Sequence, residues 1–349
     1  MIGNRPQFVK AAAVSPKLRR EHEELLVHTG QHYDDELSTI FVDELDVPRP
    51  EIELGLGGGT NSEQTARMLG ALAELLRDEA PDAVLVYGDT NSTLAGALAA
   101  AQAQIPVAHV EAGMRSFDRT MPEELNRVLT DHLAALLLAS SQVAISNLER
   151  DGVAGDVELV GDVMVDIASL LAPRAREDDG PLRAAGVQPG AYLLATAHRA
   201  ANVDDPRRLG RLVELLLALD LPVVLPLHPR TRARLQEAGL LERLAAGTTL
   251  LAPLGYLAFG ALLHRARAVL TDSGGVQKEA YLAGVPCVTL RDTTEWVETV
   301  DSGWNVLVDL DADAARAALQ RATPAQRHEL YGDGHAGARV VAALARLQR

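Results

Sequence analysis

Short hydrophobic runs alternate with longer helix-like segments along almost the whole chain. Segments such as 62–79 and 207–219 have the helical pattern. Strands that alternate with helices in this way predict parallel, doubly wound sheets. The hydrophobic runs predict strands at 25–28, 83–87, 107–110, 135–139, 158–160, 192–196, 223–227, 249–251, 268–270, 287–290 and 306–308.

The predicted strands fall into two series, separated by residues 173–190, which are rich in Pro, Gly, Arg and Asp and predict a linker. A length of 349 residues also exceeds one typical core. We therefore expect an α/β protein with two Rossmann-like domains, over 1–172 and 173–334, and a ligand in the cleft between them. In such folds, ligands lie beyond the carboxyl ends of the strands.

The first turn, Gly3-Asn4-Arg5-Pro6-Gln7, follows only Met1 and Ile2. The first strand of a doubly wound sheet is usually central, so two residues are short for it. We expect the native chain to begin upstream of Met1, which mass spectrometry of the natural protein would test.

Composition and net charge exclude several classes of function. The net charge of −15 at pH 7 argues against nonspecific nucleic-acid binding, which depends on excess Lys and Arg. The one cysteine, Cys287, lies in an apolar run, which excludes a disulfide framework and a thiolate metal site and predicts a buried strand residue. No signal peptide or membrane-length apolar run occurs, so a cytoplasmic protein without a membrane partner is expected.

The most informative motif is Asp-Ser-Gly-Gly-Val-Gln-Lys-Glu at 272–279, which follows an apolar run and opens a helix-like segment. A turn at Ser273, Gly274 and Gly275 leaves backbone N–H groups at the positive end of a helix dipole, where a diphosphate binds well. Glu279, one turn further in, is placed to accept hydrogen bonds from sugar hydroxyls. An ordinary βα turn with glycines for tight packing accounts for the same pattern.

Two cations near the first turn suit phosphate: Arg5 as a planar fork and Lys10 as a point charge. Solvated surface cations are an equally good interpretation. The turn Thr-Gly-Gln-His at 29–32 also follows a strand and either lines a cleft or makes only local hydrogen bonds.

Carboxylates follow two further strands. Asp89 comes after 83–87, and alternation along 107–110 places His109 and Glu111 on the same side of their strand. Glu123 lies in the first turn of a helix that Pro122 begins. Together, Asp89, Glu111 and Glu123 predict a cluster with raised pKa values, suited to acid and base roles. A plain N-cap for Asp89 and dipole compensation for Glu123 are the alternatives.

In the second half, His198 and His228 each follow a strand and are placed to bind phosphate, although a structural histidine remains the alternative for either. The sequence has no Walker A motif, no HExxH and no intact GxGxxG. Neither a metal site nor a cofactor is expected.

These motifs, in their order, resemble the non-hydrolysing UDP-N-acetylglucosamine 2-epimerases over nearly the whole chain. The resemblance implies a glycosyltransferase-B-like architecture, a C-terminal helix over 335–349 that packs on the first domain, and a homodimer. The motifs are GNRPQ, TGQH, GDTNST, HVEAGMRS, PEELNR, the 198–202 segment, HP, DSGGVQKEA and TTEWVE.

The resemblance also implies a reaction. UDP is eliminated to leave a 2-acetamidoglucal, and it adds back after a proton reaches C2 from the other face. It further assigns roles to particular residues. Arg5, His198, Ser273 and Gly274 would bind the diphosphate, with Lys10, Arg127 and Gly275 as further binding candidates. Glu279 would bind the ribose, and His228 would contact the substrate. Asp89, Glu111 and Glu123 would either transfer protons at C2 or stabilise an oxocarbenium-like transition state.

Three departures bear on the sugar. GNRPQ stands where the family commonly has GTRPE, Ala200 and Ala201 replace an Arg-Glu pair, and the 295–298 segment replaces ERPE. The changes resemble a branch acting on UDP-2,3-diacetamido-2,3-dideoxyglucuronic acid. Glycines at 57–59 replace the Arg-Gln pair through which some bacterial members bind an activating second UDP-GlcNAc, so substrate activation is not expected here.

Two rival functions remain open. One is a glycosyltransferase or a hydrolysing epimerase on the same architecture, and the other is a UDP-sugar-binding protein without catalysis. The full set of carboxylates argues against the second rival.

Overall fold

The computed structural model describes residues 1–31 and 48–347. Of the predicted features, His32 of the TGQH turn and the last two residues of the C-terminal helix lie outside these ranges. The chain forms two compact units. The first unit comprises Met1–Ser169 with Glu329–Arg349, and the second unit comprises Leu170–His328.

The first unit is built from parallel strands that alternate with helices from β2 onwards, as the hydrophobic pattern predicts. Its elements are α1 (Arg5–Leu18), β1 (Val27–His28), β2 (Ile52–Glu53), α2 (Asn61–Glu79), β3 (Val84–Tyr87), α3 (Asn91–Gln102), β4 (Val107–Ala112), α4 (Pro122–Leu133), β5 (Leu136–Ala139), α5 (Gln142–Asp151), β6 (Asp156–Leu159), α6 (Val163–Glu177, which continues into the second unit) and α16 (Ala336–Leu344).

Ile2 links the two sheets of this unit. It forms a parallel bridge with His28 of β1, while the backbone nitrogen of Met1 donates to Leu85 O of β3 at 2.8 Å. The order is therefore β2-β1-Ile2-β3-β4-β5-β6. From Ile2 the chain adds β1 and β2 on one side, and it then adds β3 to β6 on the other side. Doubly wound sheets bind ligands at such a switch point in strand order.

Helix α2 shows how the sequence pattern makes the core. Met68, Leu72 and Leu76 recur at four-residue spacing and are buried. The helix begins with a capping box between Thr60 and Glu63, which satisfies backbone donors at its first turn. Small alanines of α3 permit close packing of these two helices over the sheet.

The second unit repeats the same architecture. Its elements are α7 (Gly180–Ala185), β7 (Leu193–Thr196), α8 (Ala200–Val203), α9 (Pro206–Leu217), β8 (Val223–Pro226), α10 (Pro229–Glu237), α11 (Leu241–Gly247), β9 (Thr249–Leu251), α12 (Tyr256–Arg265), β10 (Ala268–Thr271), α13 (Gly274–Ala283), β11 (Cys287–Thr289), α14 (Val297–Asp301), β12 (Asn305–Leu307) and α15 (Ala312–Leu319).

The sheet of the second unit has the order β9-β8-β7-β10-β11-β12, with all neighbours parallel. This is the Rossmann order, with its switch point between β7 and β10. The predicted α/β class with parallel sheets is confirmed. Cys287 is a buried strand residue, as predicted, and burial raises the pKa of its thiol to about 12.

Two local predictions differ from the structure. Strand β2 was not predicted, because a strand of two residues is too short to show an alternation of polar and apolar positions. Residues 173–190, predicted as a linker, are largely helical: Pro173 lies inside α6, and α7 follows. Composition did not indicate these helices, because proline and glycine also occur at helix ends and, as at Pro173, inside a helix.

Helix α16 packs against α1. A side chain at Gly337 would overlap the backbone oxygen of Ala13, so only glycine permits this approach. The Asp166 carboxylate accepts hydrogen bonds from the backbone nitrogens of Ala336 and Gly337, both at 2.9 Å, and thereby caps α16.

Candidate active site

The first turn is held to the end of β3 by one buried glutamine. Gln7 accepts from the backbone nitrogen of Gly3 at 2.7 Å and donates to Tyr87 O at 2.6 Å. Its amide also reaches the hydroxyls of Thr90 and Thr93 at 3.0 and 2.9 Å. The GNRPQ and GDTNST motifs thus meet at the switch point of the first sheet, and Arg5 begins α1 there.

Asp89 is not an N-cap. Thr90 caps α3, and the carboxylate of Asp89 instead forms an ion pair with Arg127 of α4. Asn126 donates to the backbone oxygen of Asp89 at 3.0 Å, which fixes the residue from a second side. The structure therefore brings the predicted residues Asp89 and Arg127 together, a pairing that the sequence did not indicate.

Glu111 occupies an irregular position in β4. The pairing with β5 shifts between Val110 and Ala112, so Glu111 is an extra residue, and its φ is +71°. Left-handed backbone at a glutamate is strained, and such strain concentrates at functional sites. Regular alternation therefore does not govern its side chain, contrary to the sequence argument.

Lys10 of α1 pairs with Glu111. The Lys10 side chain is only 12% exposed, so it is not the solvated surface cation of the alternative interpretation. Both groups lie against Gly88, where an added Cβ would come within 2.9 Å of Lys10 Nζ and 3.4 Å of Glu111 Oε2. Since Gly88 precedes Asp89, the two predicted carboxylates lie around one glycine.

His109 is completely buried and touches the same turn. Its Nε2 lies 2.7 Å from the backbone oxygen of Gly88, and its Nδ1 lies 2.7 Å from Asp131 Oδ1. Burial raises the pKa of Asp131, but the contacts with His109 and Arg115 outweigh burial and hold this pKa below its ordinary value. Asp131 was missed because nothing in the sequence of α4 distinguishes it from a surface acid.

The two glutamates that begin α4 have different surroundings. Glu123 is exposed in the first turn of the helix. Glu124 is buried and accepts from Ser116 N and Phe117 N at 2.9 and 3.0 Å, so it holds the loop after β4. Glu124 also lies 3.3 Å from Arg127, which links the loop to the Asp89 pair.

In the second unit, one buried carboxylate organises the switch point. Asp272, which follows β10, accepts from His198 N at 3.1 Å and from Arg199 N at 3.0 Å. Asn202 Nδ2 donates to it as well, at 3.1 Å. Asp272 of the motif after β10 therefore holds the motif after β7 in place through hydrogen bonds from three of its groups.

The two predicted histidines lie together. The rings of His198 and His228 stack, with their centroids 5.4 Å apart and an angle of 27° between planes. His228 also caps α10, because its Nδ1 accepts from Arg230 N at 3.2 Å. The His198 side chain remains 40% exposed and is accessible to an anion.

The Ser-Gly-Gly turn begins α13, as predicted. Ser273 occupies the N-cap position without a side-chain capping bond, and Gly275 is exposed in the first turn. An added Cβ at Gly274 would overlap Glu295 Oε1, so alanine there would force the Glu295 side chain to move. At Gly275 the nearest atom to an added Cβ is Ser273 Oγ at 4.0 Å, so packing does not require that glycine. Glu279 lies further along the same helix and is partly buried.

The TTEWVE segment lies against this turn. Glu295 contacts Arg291 at 2.9 Å and Arg199 at 3.4 Å, and thereby joins the segment to the motif after β7. The Lys278 ammonium lies 4.1 Å from the centroid of the Trp296 ring, a cation–π contact. Trp296 thus has a packing role that the sequence pattern alone did not indicate.

Among residues 1–31 and 48–347, no group of three or more His, Cys, Asp or Glu side chains is arranged to hold a metal ion. Over the same residues, every helix is too short or too polar to cross a membrane.

Comparison with known proteins identifies the family. A sequence model described as UDP-N-acetylglucosamine 2-epimerase matches residues 16–345. The chain belongs to the UDP-N-acetylglucosamine 2-epimerase family. A Pseudomonas aeruginosa UDP-2,3-diacetamido-2,3-dideoxy-D-glucuronate 2-epimerase is 47% identical over 360 residues, with 99% of each chain covered. A Methanococcus maripaludis UDP-N-acetylglucosamine 2-epimerase homolog is 44% identical over 352 residues, again with 99% of each covered.

A solved structure agrees with this epimerase along its length. The crystal structure of Methanocaldococcus jannaschii UDP-GlcNAc 2-epimerase, in complex with UDP-GlcNAc and UDP, matches with a TM-score of 0.92 and 40% identity. The match covers 99% of this chain and 98% of that one. The predicted family and glycosyltransferase-B-like fold class are confirmed, and the protein is an isomerase of the 2-epimerase class.

Proposed function

We propose that this epimerase inverts C2 of UDP-GlcNAc to give UDP-ManNAc without hydrolysis. The observation that supports it best is the pair of carboxylates around Gly88, each matched with a cation: Asp89 with Arg127, and Glu111 with Lys10. Inversion at C2 needs a group to remove a proton from one face and a group to deliver one to the other. Paired carboxylates in a partly buried turn suit both tasks.

In the proposed elimination, a base takes the C2 proton, the C2–H electron pair forms a C1=C2 bond, and the C1–O bond to UDP breaks. UDP leaves as an anion with the electron pair of the broken C1–O bond. In the return step, a proton reaches C2 from the opposite face, and a UDP oxygen re-forms the bond to C1. The products carry the same atoms as the substrate, so no cofactor is needed.

The groups around Asp272 in the second unit suit the departing UDP. The first turn of α13 offers backbone donors at Gly274 and Gly275, where the helix dipole favours an anion. His198 supplies an accessible imidazole beside this motif. Stabilising the leaving diphosphate lowers the barrier for elimination, since charge develops on it in the transition state.

The remaining roles are proposals of the same kind. Ser273 joins the diphosphate contacts, Glu279 binds the ribose hydroxyls and His228 contacts the substrate. Arg5 also binds the diphosphate, and Glu123 takes part in proton transfer. We propose in addition that the two compact units correspond to the two predicted domains, that the enzyme is a homodimer, and that it acts in the cytoplasm. Light scattering in solution tests the homodimer.

A second candidate substrate is UDP-2,3-diacetamido-2,3-dideoxyglucuronic acid. The 47% identity with the Pseudomonas aeruginosa enzyme named for that sugar favours it. So do Arg199 and Arg291, which contact Glu295 of the TTEWVE segment and offer cations to the carboxylate that distinguishes this sugar.

Proton NMR in D2O with each sugar tests both candidates. Deuterium at C2 together with a growing manno signal establishes 2-epimerisation and names the substrate. Steady accumulation of free UDP would instead indicate a hydrolysing enzyme. UDP binding without exchange at C2, in a folded protein, would overturn the proposal in favour of a binding protein.

A further inference from the structure

His109 faces only hydrogen-bond acceptors. Its two ring nitrogens lie 2.7 Å from Asp131 Oδ1 and 2.7 Å from the backbone oxygen of Gly88. A backbone oxygen has no proton to donate, so Nε2 must carry one. The state of the ring therefore depends on whether Nδ1 donates to Asp131 or accepts from it.

The surroundings of Asp131 decide this question. Its second oxygen, Oδ2, accepts from Gly113 N at 3.2 Å and lies 2.7 Å from Arg115 Nη2. A neighbouring cation and a backbone donor both favour the carboxylate over the acid. An ionised Asp131 can only accept, so Nδ1 carries a proton too, and the ring is a cation. Desolvating an ion pair is costly unless both members are paired and hydrogen-bonded, as they are here.

We propose that His109 is a buried imidazolium that positions Gly88, and through it Asp89 and Glu111, for proton transfer at C2. This proposal rests on the proposed function. Gly88 immediately precedes Asp89, and His109 lies two residues before Glu111 on β4, so one ring fixes the backbone beside both carboxylates. Bonds to ionised donors are about twice as strong as neutral ones, which suits a positioning role.

The charges around the ring fit this assignment. Arg115, from the segment after β4, pairs with Asp131 of α4 and also with Asp151 of α5. Lys10 of α1 pairs with Glu111 beside Gly88, and Asp89, the next residue in the chain, pairs with Arg127. With His109 charged, Asp131 has two cationic neighbours, which offset the effect of burial against its ionised form.

Nitrogen NMR of histidine-labelled protein tests the charge without any assay of activity. We expect one ring with protons on both nitrogens at pH 7.5, and its signals disappear in His109→Gln. Asp131→Asn should convert that ring to the neutral form. The matched control is Asp151→Asn, which removes a partner of Arg115 but leaves His109 and its contacts, so both protons should persist. If His109→Gln does not fold, the Asp131→Asn spectrum supplies the assignment.

Kinetics test the positioning role. Glutamine keeps a donor for Gly88 but carries no charge, so His109→Gln should lower kcat about 10- to 100-fold. The KM for the UDP-sugar should change less than about threefold, because UDP binding is untouched. Unchanged kcat, or a ring in the wild-type protein with one bare nitrogen, would overturn this proposal. Absence of C2 exchange in the wild-type enzyme with either sugar would instead overturn the proposed function.

Discussion

The carboxylate of Asp272 holds the backbone of His198, with both oxygens 3.1 Å from the His198 nitrogen. One residue from the end of β10 thereby sets the conformation of the segment after β7. Replacement with Asn would keep the size of Asp272 but turn one acceptor into a donor that faces other donors. We expect Asp272→Asn to lower the free energy of unfolding by about 2–3 kcal/mol and to weaken UDP binding.

Denaturant unfolding and calorimetric titration with UDP measure the two effects. Asp204→Asn is the control, because Asp204 is a surface carboxylate that pairs with Arg230 and Arg234 in the same unit. Its loss should cost about 1 kcal/mol or less. Equal destabilisation by the two variants would contradict the organising role of Asp272.

Two adjacent glycines should respond differently to alanine. At Gly274 a new Cβ would push Glu295 away from Arg199 and Arg291, so Gly274→Ala should cost about 1–3 kcal/mol of stability. At Gly275 there is room for the Cβ, and alanine favours a helix, so stability should be kept. If the Gly275 backbone contacts phosphate, however, its Cβ should weaken UDP binding at least tenfold.

Gly210→Ala is the control for helix propensity. No atom lies within 4 Å of an added Cβ at Gly210, which is inside α9. This variant should gain stability slightly and bind UDP as the wild type does. Full UDP affinity in Gly275→Ala would remove the first turn of α13 from the diphosphate site.

Replacing Glu111 with Gln removes the charge that pairs with Lys10 while keeping the side chain's size. We expect Glu111→Gln to fold and bind UDP but to lose solvent deuterium uptake at C2, by about 100-fold or more, since an acid–base group is gone. Glu158→Gln, at a surface pair with Arg346, should exchange normally. Retained exchange in Glu111→Gln would exclude Glu111 from proton transfer.

Truncation of Glu279 tests the proposed ribose contact. Glu279→Ala should weaken UDP binding by about 1.5–3 kcal/mol, because hydrogen bonds to a charged acceptor are lost. Calorimetric titration with UDP and with UDP-sugar should show the same loss, since the ribose is common to both. Unchanged affinity for UDP would refute this assignment.

His264 predicts acid sensitivity in the second unit. Burial, together with the nearby cations Arg176 and Arg265, lowers the pKa of His264 to about 4. The unfolded chain, with a pKa near 6.5, therefore binds the proton first as the pH falls. Stability from this group is complete above about pH 6.5 and is lost progressively towards pH 4.

The loss should amount to about 1–2 kcal/mol, after allowance for the partial exposure of the ring. Denaturant unfolding at pH 7 and pH 4.5, compared between the wild type and His264→Gln, measures it. Glutamine does not titrate, so the variant should lose less stability on acidification. If both proteins lost the same free energy of unfolding on acidification, the loss would come from groups other than His264.

The sequence by itself determined the class of the fold and the order of its motifs. Every predicted strand overlaps an observed one, because short apolar runs between helices have few other solutions. It also determined which motifs follow strand ends, since that depends on order along the chain. The family followed from the same ordered set and is confirmed by the comparisons.

Only the tertiary structure decided which residues meet. The pairing of Asp89 with Arg127 joins positions 38 residues apart, and no local pattern encodes such a distance. The bulge at Glu111 and the burial of Asp131 depend on neighbours from other elements. Regular alternation along β4 therefore does not govern Glu111, and nothing in the local sequence indicated that Asp131 is buried. Periodicity reports which face of an element is apolar, whereas electrostatic partners are set by how elements pack.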